Sequence, residues 1–256
     1  MHLGLALPQY DYSYAGERPL QFQTIVDFAR VAGDSGFDSV WLYDHLQTRD
    51  GDPQPVLECW TTLAALARET SRVRLGQIVT CALYRNPGLL AQMASTVDAA
   101  SGDRVFLGVG AGWDEREYAD FGYADELPPV RARLAHLEHT LVTLRARRGA
   151  RPILVGGAGE KVLLRLVAQY ADACNLTDSF DPAFYRHKLD VVRTHCEAVG
   201  RDEREILKTA SFTVREEDDV DFDAIAAAGI EYFIVYLDPP TDLNVLERFA
   251  QRCLTP

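Results

Sequence analysis

Short apolar runs alternate along the chain with longer stretches whose apolar residues recur every three to four positions. Residues 3–8 form the first run, and Phe22, Ile25, Val26, Ala29 and Ala32 then follow a helical period over 20–35. Gly36 stands where that helix should stop, as a residue that accepts the left-handed conformation. Residues 39–44 read as a second strand, 57–70 as a helix, 74–82 as a third strand and 87–100 as a helix with proline in its first turn. The fourth strand is 105–109, and 152–155, 173–177, 207–214 and 231–237 complete the set. Helices at 160–170, 182–199 and 221–228 separate these later strands, and 243–253 closes the chain. Strands alternating with helices make a parallel sheet. Eight such units in 256 residues fit a closed (β/α)8 TIM barrel of class α/β, one domain over 1–256. An open doubly wound sheet is the alternative that periodicity leaves. One interval breaks the rhythm: 112–151 holds two helical stretches, 115–121 and 130–147, divided by Pro128-Pro129.

Composition narrows the function classes. An apolar content of 47% supports one large core. A net charge of −12 argues against a nucleic-acid partner but leaves a small-molecule pocket open. Cys59, Cys81, Cys174, Cys196 and Cys253 are scattered, without a Cys-x-x-Cys pair, so neither a disulfide scaffold nor a zinc ribbon is expected. The first residues lack a signal-peptide pattern, and no apolar run approaches the 18 residues of a membrane span. The expectation is a cytoplasmic protein with no membrane partner. The acidic run at 216–219 reads as a solvated loop before a helix.

In such a barrel the loops after the strands carry the chemistry. The second strand ends in Asp44-His45, and the third in Thr80-Cys81 followed by Tyr84-Arg85-Asn86-Pro87. The fourth leads into Gly108-Val109-Gly110-Ala111-Gly112-Trp113 and the fifth into Gly156-Gly157-Ala158-Gly159-Glu160. Asn175 and Asp178 follow the sixth strand, and Asp238 the eighth. The Gly156–Gly159 turn runs from strand to helix, where small residues and free N–H groups suit a phosphate; tight turns also use glycine. The spacing of Gly108, Gly110 and Gly112 is wrong for a dinucleotide fingerprint. It reads instead as a strand end that leaves room for a large flat ligand. His45 is a candidate proton donor or acceptor, with a structural role beside Asp44 as the alternative. His136 and His139 flank Glu138 on a helix without a third ligand, so no metal site is expected. Cys81 has no basic neighbour in sequence and reads as pocket lining.

Four blocks, in order, resemble the luciferase-like oxidoreductases, in particular those using coenzyme F420. They are Gly36 to His45 (GFDSVWLYDH), Thr80 to Pro87, Gly108 to Gly122 (GVGAGWDEREYADFG) and Pro152 to Asn175. The likeness covers 3–179 well and is fainter beyond. It implies a TIM barrel, F420 as cofactor with FMN as the alternative, and a small-molecule substrate. It places Asp44 and His45 at the deazaflavin ring, with His45 as the catalytic residue. A bulge in the third strand would carry a non-prolyl cis peptide at Gln77–Ile78 behind the ring. Thr80, Ala111, Gly112 and Arg116 would line the cofactor, with Gly156, Gly157, Gly159 and Glu160 at its phosphate end. Tyr12, Trp60, Tyr84 and Trp113 would face the substrate, and a homodimer would pair through first-half helices, with 57–66 and 89–97 as candidate faces. Two departures stand out. Trp113 occupies the place of a glutamate acid/base in the sugar-phosphate dehydrogenase branch, which puts that reaction in doubt. The excursion before the fifth strand is also shorter than in many relatives. The implied function is hydride transfer with F420; an FMN-dependent monooxygenase and a non-catalytic flavin-binding protein are the alternatives.

Overall fold

The computed structural model describes all residues except 17, 49–52, 55, 148–151, 178, 216–217 and 255–256. Among the described residues, nine strand segments make one all-parallel sheet. They are β1 (His2–Ala6), β2 (Ser39–Leu42), β3 (Arg74–Gln77), β4 (Thr80–Cys81), β5 (Val105–Gly110), β6 (Ile153–Gly156), β7 (Ala173–Thr177), β8 (Leu207–Val214) and β9 (Tyr232–Leu237). Neighbours run β3-β2-β1-β9-β8-β7-β6-β5-β4, and a further pairing of β3 with β5 closes the ring. The segments β3 and β4 are two halves of one interrupted strand, so the structure is the eight-stranded TIM barrel read from the sequence. The open sheet is excluded by that closure.

Helices α1 (Phe22–Asp34), α2 (Cys59–Glu69), α3 (Pro87–Ser101), α6 (Leu163–Tyr170), α7 (Pro182–Ala198), α8 (Phe222–Ala226) and α9 (Leu243–Leu254) wrap the sheet, and α4 (Glu115–Asp120) and α5 (Val130–Arg147) fill the interval before β6. Local chemistry sets their ends. Asn86 accepts from the Gly88 and Leu89 amides at 2.9 and 3.3 Å, and Pro87 opens α3. The Glu58 carboxylate caps α2 through Trp60 N and Thr61 N. Among the described residues, no helix is long and apolar enough to cross a membrane.

Alternation along β2 divides the core. Val40 and Leu42 pack outward beneath the helices, whereas Trp41 enters the barrel beside Phe106, Leu154 and Tyr232. Trp41 Nε1 and the Tyr232 hydroxyl both donate to Ser39 Oγ, at 2.6 and 2.7 Å. This plug of large side chains fills the barrel interior and leaves the space above it, at the C-terminal ends of the strands, for a ligand.

The interruption between β3 and β4 corrects one expectation. The cis peptide lies at Ile78–Val79, not Gln77–Ile78. Ile78 N still donates to Leu42 O at 2.9 Å, so the Gln77–Ile78 peptide continues the β2 ladder and the break comes one peptide later. The glycines opposite have a more immediate task than the one read from sequence. A Cβ on Gly108 would lie 1.9 Å from Gln77 O, and one on Gly110 or Gly156 would lie 2.6 or 2.9 Å from a Val79 methyl. They seat the broken strand, and through it shape the cavity floor.

Candidate active site

A cavity of about 520 Å³ opens at the C-terminal ends of the strands, within the range that encloses a small organic ligand. Ile78 and Val79 form part of its lining together with the backbone of Gly110, Gly112, Gly156 and Gly157. Gly157 has φ +120° and donates its N–H to Asn175 O at 2.9 Å, a conformation that a side chain would strain. The glycines keep their part of the lining at backbone level.

Asp44 and His45 leave the end of β2 in different directions. Asp44 is buried and takes a two-pronged contact from Arg85, Nη1 to Oδ2 at 2.6 Å and Nη2 to Oδ1 at 2.8 Å. Cys81 N donates to the same Oδ2 at 2.9 Å, and Arg85 Nη2 reaches on to Glu58 Oε1 at 2.6 Å. Burial pushes the Asp44 carboxyl up to about 6, against the Arg85 charge and its hydrogen bonds, which leaves it ionised at neutral pH. Arg85→Ala should therefore cost about 3–5 kcal/mol, because it strands a buried charge. Without Arg85 the Asp44 carboxyl rises further, and a raised carboxylate binds its proton more tightly folded than unfolded. The deficit should be largest above neutral pH and shrink as the pH falls toward about 6, the native Asp44 value. Denaturant midpoints measured across that range check both the size and the sign.

His45 takes a different hydrogen-bond partner. Its Nδ1 lies 3.0 Å from Glu117 Oε2, on α4 and 72 residues away. Glu117 is 1% exposed, and its other oxygen accepts from Leu46 N and from Gln47 N. The Tyr84 hydroxyl donates to Oε2 at 2.5 Å. Burial works to raise the Glu117 carboxyl, but hydrogen bonds from His45 and Tyr84 outweigh it and hold it below the usual range. Tyr84 is pushed far up by its own burial and by Glu117, so it remains a proton donor. An ionised Glu117 makes Nδ1 the proton-bearing nitrogen and leaves Nε2 on the opposite edge of a ring that lines the cavity. Asp114 holds α4 in register by accepting from Glu117 N at 3.0 Å. His45, Asp114 and Glu117 bring ligand-type atoms within 4.8 Å of one another. Glu117 already accepts several donors and Asp114 caps α4, so the cluster is a hydrogen-bonded network around an imidazole.

A sequence model of the luciferase-like monooxygenase family matches residues 1–146. The chain belongs to that family. Among its relatives, the 5,10-methylenetetrahydromethanopterin reductase of Archaeoglobus fulgidus is 29% identical over 248 residues, covering 90% of this chain and 70% of its own. The F420-dependent glucose-6-phosphate dehydrogenase of Mycolicibacterium gilvum is 26% identical over 223 residues, 76% of this chain and 65% of that one. A solved F420-dependent secondary alcohol dehydrogenase, in complex with an F420-acetone adduct, superposes with a TM-score of 0.81 at 17% identity. It covers 98% of this chain and 97% of its own, a likeness of fold.

The luciferase-like barrel brings Asp44, His45, Ile78, Tyr84 and Trp113 to one cavity, with Gly112, Gly156 and Gly157 beside them. Trp113 is 56% exposed at the mouth, its ring edge-on to His45 at 5.5 Å. Other expected residues sit elsewhere. Gln77 is buried below the cavity floor, where Oε1 accepts from Gly108 N at 3.2 Å. Thr80 and Trp60 are both buried, and Trp60 Nε1 donates to Thr80 Oγ1 at 3.2 Å, so each supports the wall instead of facing the cavity. Ala111 packs against the core, and Arg116 lies on the exposed face of α4, 3.7 Å from Asp120. Glu160 turns to α7 and takes His187 and Lys188 at 2.9 and 2.6 Å. The glycine turn does not run directly into a helix either, because α6 begins only at Leu163. Tyr12 lines a second, neighbouring cavity. Cys81 does line the main cavity, and burial pushes its thiol to about 12, so it is no nucleophile at neutral pH. His136 holds a loop through Ala82 O at 3.1 Å. Asp178 and part of the acidic run at 216–219 lie outside the described residues.

Glu117, Arg85 and Arg133 had no assigned role in the sequence reading. Arg133 reaches from α5 to Gly112 O, and so fixes the turn beside Trp113. The local trace of Glu117 is Asp114-x-x-Glu117, a capping pattern that sets the start and phase of α4.

Proposed function

We propose that the chain is an F420-dependent oxidoreductase that transfers a hydride between the deazaflavin and a small organic substrate. The observation that carries this reading is a cavity at the C-terminal strand ends with one wall kept at backbone level by glycines and an oriented histidine in its lining. The residues fit a planar ring: Val79 and Ile78 offer a low apolar surface, and Gly110, Gly112, Gly156 and Gly157 keep the wall at backbone level. A Cβ on Gly112 would meet Cys81 Sγ at 2.6 Å, so a larger residue would disturb that wall. When bound, a deazaflavin supplies a two-electron hydride carrier. The protein's part is to hold the ring against Ile78–Val79, to shield the reacting face from water, and to hold or release a proton at His45 Nε2. Absorbance titrations with F420 and, separately, FMN test the reading; an FMN affinity tenfold or more above that of F420 overturns it.

The phosphate end of the cofactor is assigned to the turn after β6. Gly157 is a poor probe of this, because its positive φ penalises every substitution. Gly159 is better placed, since a Cβ there meets only Leu163 Cβ at an ordinary 3.6 Å. Gly159→Asp should fold normally and weaken F420 binding by about tenfold or more, through charge repulsion at the turn. Unchanged affinity in a folded variant would remove this turn from the site.

The same reading includes a homodimer in a reducing cytoplasm. Five free cysteines, four of them buried, suit such a compartment. The core claims Leu63, Leu66, Leu90 and Val97 from the expected pairing helices but leaves Leu89 55% exposed. Light scattering at micromolar concentration should give twice the 28.5 kDa chain mass; a monomer mass would exclude the dimer.

A further inference from the structure

We infer, on the reading that this barrel exchanges hydride with a small molecule, that its substrate is an uncharged ring compound, seated with its apolar part in a second cavity beside the first. That cavity measures about 260 Å³ and lies under the β1–α1 connection. An apolar cavity of about 150 Å³ already accepts benzene, so a substituted single ring has room. Tyr43, Thr213 and Tyr236 line both cavities and form the wall they share.

Two features select the chemistry. The first is charge. Among the described residues, no charged side chain lines the second cavity, and no lysine or arginine lines the first, which instead presents Asp44, Asp114 and Glu117. The nearby Arg85 guanidinium is committed to Asp44 and Glu58. An anionic substrate would lose its hydration here and meet carboxylates in place of a cation. The second feature is shape. Tyr10 stacks on Tyr12 with centroids 5.1 Å apart and planes at 8°, and Tyr43 stacks on Tyr236 at 5.2 Å and 14°. These layered rings offer flat apolar surfaces suited to another ring.

Saturation-transfer NMR on the full chain, with and without F420, tests this using benzyl alcohol, benzoate and glucose 6-phosphate as probes. Benzyl alcohol should bind at least tenfold more tightly than either anion. Thr213→Trp, which places an indole in the shared wall, should lower benzyl alcohol affinity at least tenfold. Tyr12→Ala, at a residue that lines only the second cavity, should lower it at least threefold without changing the F420 titration. Benzoate or glucose 6-phosphate binding as tightly as benzyl alcohol overturns the inference. So does benzyl alcohol binding that both folded variants leave unchanged. Because the probes are also measured without cofactor, failure of F420 to bind is read separately from failure of the ring site.

Discussion

His45→Ala should lower turnover by about 100- to 10,000-fold while changing F420 affinity no more than about threefold. The magnitude is that of general acid–base assistance by a positioned side chain. Hydride transfer to or from a carbonyl or imine carbon requires a proton at the neighbouring heteroatom, and His45 lines the cavity with Nε2 on the ring edge opposite its contact to buried Glu117. The fold should survive the change. Glu117 keeps its contacts to Leu46, Gln47 and Tyr84 when the imidazole is gone, so its charge is not stranded. A kcat loss with near-native F420 binding and melting temperature would place the effect in the chemical step. Normal turnover with a true substrate would make His45 structural and assign the proton to water or to the substrate itself.

The sequence made the barrel legible because two periods, two residues and about 3.6, alternate along the chain, broken only at the pair of helices in 112–151. It made the floor of the site partly legible for the same reason. Asp44, His45, Gly112 and Gly156 lie at or just beyond strand ends, and strand ends in this architecture point to one face. What lay hidden was pairing at long range. His45 and Asp44 are adjacent in sequence, which suggests mutual contact, yet successive residues of an extended segment diverge and each finds a different partner. Glu117 lies among Glu115, Arg116 and Asp120, a composition that reads as a solvated helix face. Only the packing of α4 over the mouth turns Glu117 inward while Arg116 stays half exposed. Thr80 and Trp60 mislead for a related reason: a polar residue and an aromatic near a site can satisfy each other in the wall behind it. The cis peptide was misplaced by one bond because the end of a ladder depends on which amide pairs last, and that is a property of the neighbouring strand.

Glu117 carries the other large effect, and it acts through His45 as a positioning residue. Glu117→Gln preserves volume, and the amide oxygen can still accept from Leu46 and Gln47. The amide NH2 must then face His45 Nδ1 and the Tyr84 hydroxyl, where the carboxylate oxygen accepted from both. Facing a donor, His45 moves its proton to Nε2 and loses the ability to accept one from the cavity side. In a serine protease the comparable loss of the partner carboxylate costs about 10,000-fold in kcat; a fall of about 100- to 10,000-fold is expected here, with F420 affinity nearly unchanged. Glu117→Ala should behave differently. It leaves the Leu46 and Gln47 amides and the Tyr84 hydroxyl without an acceptor, at about 1–3 kcal/mol for each group that stays buried, so the melting temperature should drop as well. Glu117→Asp, which keeps the charge, should recover part of the turnover. If Glu117→Gln lowers only stability, and kcat stays native, Glu117 is a structural brace for the 45–47 loop and His45 holds its orientation without it.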